Sequence, residues 1–359
     1  MGFVITNAVK YRRFVNNISI PLHFFLFSII IYWNCKEVIL GGFAVGKKVS
    51  IIGAGNVGAT VAFTLTVSGL AAEIALVDIN KDKAKGEALD IFQGTSYSAP
   101  VNIYQGDYSD LAGSDIVVIT FGMARRPGQT RIDLAQANVN IIKSAMPEIT
   151  KYAPDAVYVV VSNPVDILTY TIAKACGLPE NKVIGTGTLL DSARLRSELA
   201  DRLKISPKNI HAYVFGEHGD TAMIPWSLAS IGGLDVETFC NSVSKDFRQF
   251  QEEDLADIEE KVKSSGARII NWKGATYYAI ALTVKRVCEC VLGDSNSILP
   301  VSSLIHDRYG IDDVAISMPC IVGSGGIKGY VNPPLTDEEL KLLQKSGKAM
   351  RDILDSLEI

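Results

Sequence analysis

A short β-branched run, Val49-Ser50-Ile51-Ile52, leads directly into Gly53-Ala54-Gly55-Asn56-Val57-Gly58, and an apolar helical pattern carrying Val61 and Leu65 follows. A strand that turns on glycine into a helix leaves few folds open, because each glycine has its own physical task. Gly53 makes the tight turn, Gly55 lets the backbone approach a pyrophosphate, and Gly58 lets the helix pack on the strand. The unpaired N–H groups and positive dipole end of the helix, beginning near Asn56 and Val57, then face the phosphates. Glycine clusters taken alone more often mark plain turns. Here a second β run, Ile74-Ala75-Leu76-Val77, ends in Asp78, about twenty residues past Gly58, where a carboxylate hydrogen-bonds an adenosine ribose 2′-OH. The same carboxylate repels a 2′-phosphate, so the expected cofactor is NAD rather than NADP.

The pattern after Lys48 extends this half-motif into an α/β fold. Strands are expected at 48–53, 73–78, 101–104, 115–121, 156–162 and 182–185, with helices at 57–69, 81–94 and 133–152 between them, the plan of a doubly wound parallel Rossmann sheet. The expected boundaries are an N-terminal extension over 1–46, a dinucleotide-binding domain over 47–189, and an α+β substrate domain over 190–359. The last of these has a helix at 188–204, a strand-like Ile210 to Phe215, a charged amphipathic stretch at 250–265, an apolar helix at 274–292 and β hairpins over 298–331. Thr336-Asp337-Glu338-Glu339 reads as a capping box opening a final helix. At 359 residues and 48% hydrophobic composition the chain can bury cores for both domains.

A net charge of −4, with no Lys/Arg-rich run, excludes nucleic acid as an expected partner. The six cysteines have no metal-ligand spacing and read as thiols of a reducing cytoplasm, with no metal site. The segment from Ile18 to Trp33 is apolar and preceded by Lys10, Arg12 and Arg13, as in an anchor. Interrupted by Pro21 and His23, it falls short of the roughly 20 residues that span a bilayer. Lys36-Glu37-Val38 and Gly41-Gly42 can be encoded by ribosome-binding sequences. The expectation is therefore that translation starts near Leu40 or Val45 and that a membrane anchor is not part of the working protein. Intact mass of the natively expressed chain tests this.

Four polar clusters lie at or after strand ends, where a doubly wound fold places its ligands. Gly122 to Arg131 is a Gly/Pro-punctuated loop with Arg125, Arg126 and Arg131, either a mobile lid that meets an anion or a solvated basic loop. Ser162-Asn163-Pro164-Val165-Asp166 ends a run of valines. Asp191 and Arg194 share a helix face at i,i+3, the spacing of an ordinary surface ion pair. In Gly216-Glu217-His218-Gly219-Asp220, glycines flank a histidine and leave its ring room to reach a ligand. Together they supply what hydride transfer to a 2-oxo acid needs. His218 is a proton donor near neutral pH, Asp191 a carboxylate to orient it, Arg194 a bidentate clamp for a carboxylate, and Arg131 a cation for the carbonyl oxygen.

These segments resemble the L-lactate/malate dehydrogenase family over about residues 47–357, through Gly53-Ala54-Gly55-Asn56-Val57-Gly58, Pro127-Gly128-Gln129-Thr130-Arg131, Ser162-Asn163-Pro164, Asp191-Ser192-Ala193-Arg194 and Gly216-Glu217-His218-Gly219-Asp220. The resemblance implies His218 as acid/base with Asp191 as its partner, Arg194 as the carboxylate clamp and Arg131 as the lid arginine. It implies Asn163 at the substrate oxygen, before a cis Pro164. It adds Gly122, Asn138, Ser162, Asn163 and Ile280 to the cofactor contacts, and Thr276 to the substrate pocket. It further implies a homotetramer acting on a 2-oxo/2-hydroxy acid.

Within the family the residue six before the lid arginine commonly separates malate (Arg) from lactate (Gln) enzymes. Arg125 stands there, and facing pyruvate it would be an unmatched charge costing about 3–5 kcal/mol by analogy with a broken buried pair. Glu217, Thr276 and Ile280 are lactate-type instead, and the balance favours L-lactate dehydrogenase with malate dehydrogenase as the alternative. Arg196 and His211 match positions that bind fructose 1,6-bisphosphate in some allosteric relatives, or are two ordinary interface residues. A non-catalytic NAD-binding protein is the remaining class, and it has no need of His218, Asp191, Arg194 and Arg131 together.

Overall fold

The computed structural model describes residues 46–123, 130–243 and 252–359. The apolar segment 18–33, the expected start sites and Arg125 lie outside these residues. Residues 46–359 form one compact unit. Its frame is a nine-stranded sheet. Six parallel strands come first: β1 (Lys48–Ile52), β2 (Glu73–Val77), β3 (Asn102–Gln105), β4 (Ile116–Ile119), β5 (Val157–Val160) and β6 (Val183–Gly185). The near-continuous valine and isoleucine content of β4 and β5 follows from burial on both faces, the ordinary state of a central parallel strand, whereas the edge strand β3 is only partly buried.

Helices cover those faces. α1 (Asn56–Ser68), α2 (Lys81–Gln93), α3 (Arg131–Tyr152) and α4 (Val165–Ala175) connect successive strands, and α5 (Leu189–Leu203) leaves β6. One core contains Val61 and Leu65 of α1 with Ile51, Ile74 and Val118; the other contains Val139, Ile142 and Met146 of α3 with Ile119 and Tyr158. Because β1 lies between β4 and β2, the strand order reverses there. The crevice at the carboxyl ends of β1 and β4 is where an open α/β sheet binds its ligand.

Beyond α5 come a small antiparallel sheet of β7 (Ile210–His211), β8 (Ser230–Ile231) and β9 (Leu234–Asp235), then α6 (Val236–Ser242), α7 (Glu252–Lys273) and α8 (Tyr278–Leu292). Leu195 and Leu199 of α5, Ile231 of β8 and Ile258 and Val262 of α7 make a third core under this region. The hairpin strands expected at 298–331 are β10 (Ser297–Ile305), β11 (Val314–Gly323) and β12 (Gly326–Tyr330). They do not form a sheet of their own. β10 joins the edge of β6 through Ser302 and Gly185 and continues the parallel sheet in antiparallel fashion. The last helix, α9 (Asp337–Asp355), starts at the expected capping box: Glu339 N–H donates to Thr336 Oγ1, and Thr336 N–H to Glu339 Oε2.

The strand expected over 210–215 stops at His211, although Ala212 and Val214 keep the buried alternation. The backbone of Val214 is used by side chains: its N–H donates to Ser192 Oγ at 2.8 Å, and its carbonyl accepts from the Thr188 hydroxyl. Those bonds carry the segment onto α5, and Phe215 pairs with Met223 instead of extending the ladder.

Candidate active site

The glycine loop bears out its expected geometry. Gly53 has φ +107°, open to glycine at little cost, and a Cβ there would lie 2.6 Å from Thr120 Oγ1. A Cβ on Gly58 would lie 1.8 Å from the Gly53 carbonyl oxygen, so only glycine lets α1 sit this close to the turn. A Cβ on Gly55 would meet nothing within 4 Å, and no side chain caps the α1 N-terminus that it begins. That open space beside uncapped N–H groups suits a pyrophosphate. Asp78, at the end of β2, accepts the N–H groups of Ala54 (2.6 Å) and Asn80 (2.8 Å). It thereby ties the glycine turn to β2 and borders a cleft of about 690 Å³ with Gly53, Gly55 and Gly122. Loop, carboxylate and cleft fit the dinucleotide that the sequence implies.

A second cavity, of about 360 Å³, begins at Val57 and runs past Asn163, Asp191, Arg194 and His218 to Thr276 and Ile280. It brings together the residues expected at the nicotinamide and substrate. Two others placed with the cofactor on resemblance have side chains bonded to neighbouring loops. Asn138 is buried, and its amide bonds the backbone of Met123 (2.7 and 3.2 Å) and the Asn163 carbonyl (2.8 Å). The Ser162 hydroxyl donates to the carbonyls of Phe121 and Ile119. Both side chains tie the loops after β4 and β5 to each other, so they shape the crevice from behind. The Asn163–Pro164 peptide is cis, as expected.

His218 sits on a loop pinned from four directions. Gly216 exchanges two backbone hydrogen bonds with Ser317 of β11, each 2.9 Å. Glu217 N–H donates to Ser346 Oγ of α9 at 2.8 Å, and His218 N–H to Asp166 Oδ2 of α4 at 2.7 Å. The ring Nδ1 lies 2.5 Å from Asp191 Oδ2 on α5. The other Asp191 oxygen accepts from Arg194 Nη1 at 2.8 Å. The ion pair expected at i,i+3 is therefore no surface pair: the Asp191 side chain is only 9% exposed and holds both the histidine and the arginine.

These contacts move the charges in opposite senses. Burial disfavours charge on His218, but the hydrogen bond and attraction of Asp191 outweigh it and raise the imidazole above its ordinary value of 6.5. Burial likewise disfavours the Asp191 carboxylate, and His218 and Arg194 together hold it below 3.8.

Arg131, at the start of α3, is not assembled with this group. Its guanidinium lies on Asp220 at 2.6 Å, with the side chain 67% exposed. It lines a neighbouring cleft of about 330 Å³ that also includes Asn163 and His218, so it stands at the site's outer edge. Arg196 donates Nε–H to the Ser192 carbonyl on α5 and is lowered by burial, while His211 is exposed on β7. Asp166 was not singled out as a site residue, although one signal was visible: an acid in the first turn of a helix between Val165 and Ile167.

The fold agrees with the comparisons. Residues 47–185 match the lactate/malate dehydrogenase NAD-binding domain, and residues 188–358 its alpha/beta C-terminal domain. The chain belongs to the lactate/malate dehydrogenase family, and NAD is its cofactor. It is 49% identical to an L-lactate dehydrogenase of Acetivibrio thermocellus over 313 residues, covering 87% of this chain and 98% of that protein. L-lactate dehydrogenase 1 of Clostridium acetobutylicum is 48% identical, covering 86% and 98%. Among solved structures, the minor L-lactate dehydrogenase of Enterococcus mundtii superposes with a TM-score of 0.83 at 36% identity, covering 87% of this chain and 99% of that one.

Proposed function

We propose that this protein is an NAD-dependent L-lactate dehydrogenase that interconverts pyruvate and NADH with (S)-lactate and NAD. The observation that carries the reading is the buried contact of His218 Nδ1 with Asp191, which leaves Nε2 as the ring nitrogen available to a substrate in the cavity. The cofactor supplies the hydride. In reduction, protonated His218 gives its proton to the carbonyl oxygen as that oxygen gains charge, and Asp191 stabilises the imidazolium that must form again before the next turnover. Arg194 clamps the substrate carboxylate, Asn163 contacts the oxygen, and Thr276 bounds the pocket. Arg131 exchanges Asp220 for the substrate, adding a cation at the carbonyl oxygen.

Arg125 supports a second reading, malate dehydrogenase, because its guanidinium would match the second carboxylate of oxaloacetate. The names of the relatives support pyruvate. We take the domain boundary near 189–190, a cytoplasmic location and a homotetramer as parts of the same reading. The exposed apolar side chains of Phe63, Val67, Leu89 and Phe92 on α1 and α2 favour association. Arg196 and His211 are proposed to take fructose 1,6-bisphosphate. Side-by-side kcat/KM for pyruvate and oxaloacetate with NADH tests the substrate. Preference for oxaloacetate would replace lactate by malate dehydrogenase. Activation by the sugar phosphate that disappears in Arg196→Ala tests the effector site, and identical kinetics with and without it would rule the site out.

A further inference from the structure

Asp166 is the second residue of α4, 2% exposed, in an apolar run from Val165 to Leu168. Its Oδ2 accepts the backbone N–H of His218, fifty-two positions along the chain, at 2.7 Å. Its Oδ1 faces the buried hydroxyl of Ser302 on β10, and neither atom has any other hydrogen-bond partner. No cation contacts this carboxylate among the described residues. Holding a charge in such a place is costly, and anchoring one N–H does not require it. An asparagine side chain would accept the same bond and offer its NH₂ to the Ser302 hydroxyl. A neutral anchor would therefore be more stable, which directs attention to what the charge does for its neighbours.

Two of those neighbours belong to the reaction. Asn163 stands three residues before Asp166 on the same turn and lines the cavity, while His218 is the group that Asp166 holds. Several charges surround His218. α5 presents Asp191 and Arg194, α4 presents Asp166, and its own loop carries Glu217 and Asp220, of which Asp220 is paired with Arg131 of α3. Across the cavity α7 presents Lys263 and Glu259, the latter accepting from the Trp226 indole N–H. β11 and α9 meet the loop through the neutral Ser317 and Ser346. Asp166 is faced by His218 and Glu217 and, from β10, by Ser302.

We propose that Asp166 is a positioning residue for proton transfer, one that locks the His218 loop to the Asn163 turn and uses its buried charge to stabilise the His218 imidazolium from behind. This rests on the reading of His218 as the proton donor. Asp191 orients the ring through its edge, and Asp166 acts through the backbone and through space, so two carboxylates attract the imidazolium. Burial pushes the Asp166 carboxyl up to about 6. The support is therefore present above that pH, where reduction most needs a histidine that keeps its proton, and it fades below, where the ring is protonated anyway.

The chain has four histidines, so the His218 ring can be followed by NMR and assigned by its loss in His218→Asn. In Asp166→Asn, which keeps the N–H anchor, we expect the His218 titration to move to lower pH. The alkaline limb of kcat/KM for pyruvate reduction should move with it, and NADH affinity should stay within about twofold of the parent. Asp166→Ala, which loses the anchor as well, should lower kcat about tenfold or more, with Asn restoring most of it. An unmoved His218 titration in folded Asp166→Asn would overturn the proposal, because a merely structural anchor predicts that result. Retained turnover in His218→Asn would overturn the proton-donor reading instead, while a shifted ring in Asp166→Asn would still establish the coupling.

Discussion

The two ends of the crevice are held by different forces. At the nucleotide end the fit is made by backbone: Gly53, Gly55 and Gly58 shape a turn, and Asp78 braces it through two main-chain N–H groups. At the His218 end the fit is made by buried charge, with Asp191 shared between a ring and a guanidinium and Asp166 on the His218 backbone N–H. Close packing is indifferent to pH and intolerant of a single added methyl group. A charge cluster tolerates isosteric change in shape but responds to every proton. One molecule thus has a region whose failures are steric and another whose failures are electrostatic.

Substitutions at each end can break this contrast. The largest effect is expected at His218: His218→Asn should lower kcat about 10³-fold while NADH still binds, as stopped-flow fluorescence and steady-state rates will report. Near-normal kcat would remove the histidine from the chemistry. Next comes Asp166→Asn, with the opposite sign for stability. The carboxyl is ordinarily near 3.8 and about 6 in the fold, so as pH rises between those values the unfolded chain gives up its proton first and the native state loses stability. At pH 7 that cost is complete, about 3 kcal/mol. Asp166→Asn should therefore be more stable than the parent by about that amount at pH 7 and by little at pH 4, measured by urea unfolding at both pH values. A neutral or destabilising effect at pH 7 would mean that the carboxylate finds compensation after all.

At the steric end, Gly58→Ala puts a methyl group into the Gly53 carbonyl and should cost about 1–3 kcal/mol, with weakened NADH binding and the same penalty at pH 6 and pH 8. A pH-dependent penalty would blur the distinction between the two ends. The smallest effect is expected at Asp220, whose bond to Arg131 is exposed. Asp220→Asn should change stability by no more than about 1 kcal/mol and, by freeing Arg131, lower KM for pyruvate by up to about fivefold. An unchanged or higher KM would show that Asp220 does not compete with substrate for Arg131.

The same contrast explains how much was legible in the chain. The nucleotide end is contiguous: strand, glycine turn, helix and Asp78 all lie within residues 48–78, and local patterning places β1 and β2 within a residue of where they occur. The substrate end is assembled from residues 163 to 346. His218, Asp191 and Arg194 could be picked out by residue type, but not the burial of the Asp191–Arg194 pair, in which Asp191 meets His218 and Arg194 lies near Gly266 of α7. Ser162 and Asn138 look like cofactor contacts in motif form, yet their polar atoms are taken by neighbouring loops, a fact that only three-dimensional hydrogen bonding decides. The junction of β10 with β6 rests on one residue pair, Ser302 and Gly185, with no local signature. Asp166 was legible only as an acid out of place in an apolar helix; its partner is distant in sequence.

The central claim, that the buried Asp191 keeps His218 protonated for proton transfer to the substrate, is tested most directly by the pH dependence of kcat/KM for pyruvate reduction in the parent and in Asp191→Asn. Reduction needs the protonated ring, so activity should be full below the raised His218 value and fall as pH rises through it, with the limb above pH 6.5 in the parent. In Asp191→Asn that limb should move to lower pH, and the rate on its plateau should drop. A limb at the same pH in both proteins would contradict the account.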